Sequence, residues 1–162
     1  MIILVADTSV LIDLERGGLL EVALSGPDTF ATPDLLYDRE LADNLGPGLI
    51  ELGLHVMALS GDELSLVQNL HSHTSLALPD CAALVGARRD HHELLTSDQP
   101  LRHYAESQGV GVHGLLWLLD RFLTSKTATP NILHAALTTI SSHRRCRLPR
   151  DEVHTRLRLW LG

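Results

Sequence analysis

At 162 residues, 44% of them hydrophobic and only 4% aromatic, the chain is sized for one compact domain with a core of mostly Leu, Val and Ala. No apolar run approaches the roughly 20 residues a membrane span needs, and no basic stretch with a cleavage site opens the chain, so a cytosolic protein without membrane contact is expected. The net charge of −7 is uneven: from Arg144 onward six arginines face Asp151 and Glu152, a local +4 that leaves −11 on the rest.

An acidic body with a basic tail can mark a nucleic-acid contact in the tail. A solvated helix with arginines on its wet face carries the same charge, and charge alone favours that reading. Cys81 and Cys146 stand in no C-x-x-C pattern, which argues against a zinc site or a disulfide framework.

In chain order, residues 2–6 read as a buried strand: short, branched and without polar alternation. Helical spacing follows over 8–16 and stops at Gly17-Gly18, with a short helix over 19–24 and a brief strand over 29–31. Thr32-Pro33-Asp34 has the form of a helix start, a capping hydroxyl before a proline, and that helix is expected to end before Gly46-Pro47-Gly48. A strand over 55–59 and a helix over 62–71 come next. Leu78-Pro79-Asp80 opens the helix CAALVGARR, and a strand over 93–96 ends in Ser97-Asp98. Then come a helix over 101–107, a strand over 110–113 and an apolar helix over 115–123. Alternating strands and helices imply a parallel sheet covered on both faces.

The character changes near residue 125. Residues 126–162 are predicted to form a helical, Arg-rich extension, with pieces over 131–140 and 151–161 around an Arg-rich turn and Pro149. Residues 1–125 make the principal domain.

Ligands of open α/β sheets bind outside the carboxyl ends of the strands. Asp7 ends the first strand and Asp98 follows the strand ELLTS, so both belong to that edge. Asp80, in the first turn of its helix, can point at the same crevice, and YDREL offers Asp38 and Glu40. Each has a structural alternative. Asp80 can stabilise a helix start through the dipole, Asp98 can cap the helix after it, and Glu40 can be an ordinary solvent-facing residue. Asp7 has the weakest such alternative, because Thr8 or Ser9 could cap the first helix. Converging carboxylates repel one another unless a cation neutralises them. Without a cysteine cluster, the natural occupant is a hard ion with oxygen ligands, Mg²⁺ or Mn²⁺. Such an ion can activate water and stabilise a phosphodiester's leaving oxygen. His71-x-His73 and His91-His92 lack a third ligand at a supporting spacing and receive no role. Ser9, Ser97 and Cys81 have no identifiable base partner, which ranks covalent hydrolysis low.

ADTSVLIDLERGG, the acid-plus-leucine of YDREL, LPDCAALVGARR and LLTSDQPLRHYAESQGVGVHG, in that order, resemble the successive motifs of PIN-domain nucleases, a family that includes VapC-like toxins. The resemblance spans about residues 1–123. It implies a three-layer α/β/α fold with a five-stranded parallel sheet, and a Mg²⁺- or Mn²⁺-dependent endoribonuclease acting on single-stranded RNA. By position it makes Asp7, Glu40, Asp80 and Asp98 the catalytic, metal-binding quartet, with Thr8 or Ser9 hydrogen-bonding near Asp7. It favours Glu40 over Asp38 because relatives place the acid directly before an apolar residue, as in Glu40-Leu41. It further implies a small antitoxin partner and a homodimer. Two features depart from the family pattern: Gln99-Pro100 stands where many relatives carry a further acid, and the tail beyond Lys126 has no counterpart in the minimal fold. Ser9, Arg144, Arg145 and Arg147 are the residues expected to touch RNA or a partner. The principal rival is a PIN-like module that binds or assembles without cleaving. A phosphatase of the DxD type would want acid at Ser9, and a receiver would want a lysine nearer the last strand than Lys126.

Overall fold

A computed structural model describes residues 1–161. Five short strands, β1 (Ile3–Ala6), β2 (Thr29–Pro33), β3 (His55–Met57), β4 (His92–Leu95) and β5 (Val112–His113), form one all-parallel sheet in the order β3-β2-β1-β4-β5. Ile3 pairs with Thr29 on one side and His92 on the other, which centres β1. Its Leu4, Val5 and Ala6 are buried, as both faces of a parallel sheet require.

The helices are α1 (Thr8–Arg16), α2 (Leu20–Ser25), α3 (Asp34–Leu36), α4 (Gly46–Leu52), α5 (Gly61–His73), α6 (Leu78–Ala87), α7 (Gln99–Ser107), α8 (Leu115–Thr124), α9 (Pro130–Ser142) and α10 (Arg150–Leu161). Right-handed crossovers place α1, α2 and α4 over one sheet face and α5–α7 over the other, while the short α3 packs against α6. The packing agrees: α2 lies on α1 and α4, while α6 lies on α5, α7 and the central strands. The result is the α/β/α architecture implied by the motifs. Every residue of α6 from Cys81 to Ala87 is buried, which explains why this helix is apolar all round. Ser60 and Glu63 form a reciprocal capping box that starts α5. Among the described residues no helix is long and apolar enough to cross a membrane.

Two local expectations are corrected. Thr32 does not cap a helix: it and Pro33 complete β2, and its buried hydroxyl has no partner among the described residues. The helix after it is also shorter and less regular than predicted. It passes from α3 into a π-helical turn, Tyr37–Leu41, where the Ala42 N–H reaches back to the Tyr37 carbonyl. That helix does end before Gly46-Pro47-Gly48, as expected, but these residues open a further helix, α4, with proline in the first turn, where its missing N–H is not needed.

The C-terminal helices are packed onto the body. Gly17 ends α1 against α9 so closely that a Cβ there would stand 2.7 Å from Ile140 Cδ1. Arg156 of α10 grips Asp120 of α8 through two hydrogen bonds of 2.9 and 2.7 Å, and Val153 and Trp160 are buried.

Candidate active site

The chain leaves β1 toward β2 and leaves β4 toward β5, so its connections diverge between two neighbouring strands. That divergence opens a crevice at their carboxyl ends, the usual ligand position in such sheets. Asp7 follows β1 there, and Thr96, Ser97 and Asp98 follow β4.

Asp7 is itself the N-cap of α1, so the capping role does not pass to Thr8 or Ser9. Its Oδ1 accepts the Ser9 N–H at 2.8 Å and the Ser9 hydroxyl, and its Oδ2 accepts the Thr96 hydroxyl. Three of a carboxylate's roughly four acceptor positions are thus filled, which leaves one on Oδ2. Asp7 is only 3% exposed. Burial pushes its carboxyl above the ordinary aspartate value, against the pull of the Ser9 and Thr96 hydrogen bonds. Ser9 Oγ in turn accepts the Ser97 N–H at 3.0 Å, and Thr96 Oγ1 accepts the Asp98 N–H at 3.0 Å. The two strand ends are therefore laced together through hydroxyls.

The other acids arrive from separate elements. Asp98 holds the N-cap position of α7, yet its side chain makes no capping hydrogen bond. Asp80 lies in the first turn of α6 and is half-buried. Glu40, on the π-helical turn, accepts the Thr8 hydroxyl at 2.7 Å, which ties it to the residue after Asp7. Asp38 on the same turn is exposed and has no hydrogen bond among the described residues.

Electrostatics join all four. Burial, and then the charges of Asp7, Asp98 and Glu40, push the Asp80 carboxyl up to about 7. None of the four pairs with a Lys or Arg among the described residues. Also among these residues, no three His, Cys, Asp or Glu groups stand close enough to hold an ion directly. The acids share one field without touching. This uncompensated, all-oxygen donor set fits a hard divalent cation that keeps several of its own waters.

A pH dependence follows. Folded metal-free protein holds a proton on Asp80 up to about pH 7, whereas an unfolded aspartate releases it near 3.8. The native state therefore binds more protons across that window, and stability falls as pH rises through it. Asp7 acts in the same direction. The melting temperature in EDTA is expected to drop between pH 5 and pH 7.5, and Asp80→Asn to flatten the profile; a rise over that range contradicts the shared field.

Beside the acids lies an open cleft of about 810 Å³, in which Ser9 and Asp98 face Arg102, Trp117, Arg145 and Arg147. Arg144 does not line it and instead borders a separate hollow with Ser142 and His154. Asp13 also reaches the cleft. Its Oδ2 accepts the Ser97 hydroxyl at 3.2 Å, and burial raises its carboxyl. Sequence reasoning missed Asp13, although its position one helical turn after Ser9 was a usable signal. It also missed Thr96, and it weighed Ser97 only as a nucleophile rather than as a hydrogen-bond partner of Ser9 and Asp13.

The parallel sheet and its switch point define an open α/β domain with four carboxylates in one field. The chain belongs to the PIN-domain family: that family's model matches residues 3–161, taking in α9 and α10 as well as the sheet. PIN domains are generally nucleases and typically use divalent metals. No curated protein matches the chain.

Proposed function

We propose that the protein is a Mg²⁺- or Mn²⁺-dependent endoribonuclease that cleaves single-stranded RNA at Asp7, Glu40, Asp80 and Asp98. The observation that carries this reading is the setting of Asp80, where burial and then the charges of three further carboxylates push one acid up to about 7, with no Lys or Arg paired to any of the four among the described residues. Asp7 is the fixed member, its orientation held by Ser9 and Thr96. Thr8 steadies Glu40. Asp98, free of a capping bond, and half-buried Asp80 offer oxygens more accessible than those of Asp7. When bound, a divalent ion supplies the charge that makes water nucleophilic at neutral pH and offsets charge on the leaving oxygen. The order of motifs supports a narrower role as the cytoplasmic toxin of a type II toxin–antitoxin pair, acting as a homodimer and restrained by a small antitoxin.

An ion that binds only the folded state stabilises it by about 2.7 kcal/mol at a hundredfold excess over its Kd. Millimolar Mn²⁺ is therefore expected to raise the melting temperature of the wild type and to lose most of that effect in Asp98→Asn. Asp98 makes no capping bond, so its replacement leaves the fold itself unburdened. An equal shift in both proteins counts against an acidic metal site.

A further inference from the structure

We infer that the loop between α9 and α10 forms a wall of the substrate cleft, and that Arg145 and Arg147, with Arg102, carry the phosphodiester backbone of single-stranded RNA. This rests on the ribonuclease reading and deepens it by assigning the path of the strand beside the carboxylates.

Geometry separates the arginines. Arg145 and Arg147 line the same cleft as Ser9 and Asp98, whereas Arg144 opens onto another hollow. Both are exposed, and neither has a carboxylate partner among the described residues. The remaining arginines of the cleft are at least partly committed. Arg156 is bound to Asp120 through two nitrogens, and Arg16 stands 3.8 Å from Asp13. Arg102 meets Glu106 through Nε at 3.1 Å, while its Nη1 lies where a Cβ on Gly114 would come within 2.9 Å. Glycine at 114 thus leaves room for a guanidinium on the cleft wall.

The loop is also held in place. The Arg145 N–H donates to His143 Nδ1 at 3.1 Å, and the Cys146 N–H to the His143 carbonyl at 2.9 Å. Beyond it, α10 is fastened by Arg156 and by buried Trp160. Two guanidinium groups without a carboxylate partner among the described residues are therefore carried on an anchored backbone beside an acidic centre. A cationic wall next to carboxylates suits a polyanion whose cleaved phosphate lies at the acids and whose neighbouring phosphates need neutralising. A guanidinium forms paired hydrogen bonds to phosphate oxygens.

Each phosphate contact to a single strand contributes about 0.7 to the salt slope of binding. The test measures fluorescence anisotropy of a short, labelled, mixed-sequence single-stranded RNA over a salt series, in millimolar Mn²⁺. Asp98→Asn protein serves as the non-cleaving background. Adding Arg145→Gln and Arg147→Gln is expected to weaken binding on the order of tenfold and to lower the slope by about 1.4. Arg144→Gln in the same background leaves both unchanged. In the cleaving protein, the Arg145 and Arg147 substitutions raise KM and leave kcat in place. Equal effects from Arg144 and from the Arg145–Arg147 pair overturn the inference while the ribonuclease reading stands. An RNA-cleaving enzyme whose binding ignores all three arginines does the same. Absence of both RNA binding and RNA cleavage overturns the two together.

Discussion

Asp80→Asn and Asp98→Asn are each expected to lower RNA cleavage by roughly a hundredfold to a thousandfold, the usual cost of removing one preorganised charge-stabilising group. Amide for carboxylate keeps the shape and removes the charge that attracts the cation. Neither change burdens the fold. Asp98 makes no capping bond, and Asp80 sits in a field that already penalises its ionised form. Melting temperatures in EDTA are therefore expected not to fall for Asp98→Asn, which removes a charge repelling Asp80, and to rise above wild type near pH 7.5 for Asp80→Asn. Activity close to wild type in both variants would remove these acids from the chemistry.

The second large effect separates two acids on one turn. Glu40→Gln is expected to lower cleavage by about a hundredfold and to weaken Mn²⁺ binding, whereas Asp38→Asn leaves both nearly untouched. Glu40 is tethered to Thr8 at 2.7 Å, and its charge reaches Asp80. Asp38 is exposed on the other flank. Two residues along a helix turn a side chain through about 200°, so both cannot serve one crevice. Kinetics and metal titration on the two variants decide the matter, and the reverse pattern would move the site to the opposite face of this turn.

Much of the fold was legible because its punctuation is strong. β1 is a short apolar run followed directly by Asp7, and β4 ends in Leu94-Leu95 just before the polar Thr96-Ser97-Asp98. Helix α6 is announced by Leu78-Pro79-Asp80 and by its unbroken apolar content. Gly46-Pro47-Gly48 rightly marked the end of one helix but hid the start of α4, because glycine and proline read as breakers although a proline in the first helical turn costs no hydrogen bond. Thr32 has the composition of a cap, but strand pairing between β2 and β3 extends past it to Pro33 and Met57. The π-helical turn leaves no mark in YDREL, since its wider bond depends on how the chain crosses from α3 toward α4.

At the site, the positions of the four acids followed from the motifs, while their hydrogen bonds did not. Whether Asp7 or Ser9 caps α1 depends on side-chain rotamers that composition leaves open. The cleft was least accessible to sequence reasoning. Arg102, Trp117, Arg145 and Arg147 lie on three segments that meet only because α9 docks on α1 and α10 is held to α8 by Arg156. The basic tail was visible as charge, but charge alone could not separate Arg144 from its neighbours.

The central claim is that these four carboxylates make a metal-dependent ribonuclease. It is tested most directly by incubating purified protein with a mixed pool of single-stranded RNA, in EDTA and in millimolar Mn²⁺, beside the Asp98→Asn variant. The account predicts cleavage products with wild type and Mn²⁺ only. Intact RNA under every divalent ion tried, or equal cleavage by wild type and Asp98→Asn, would contradict it and favour a PIN-domain module that binds without cutting.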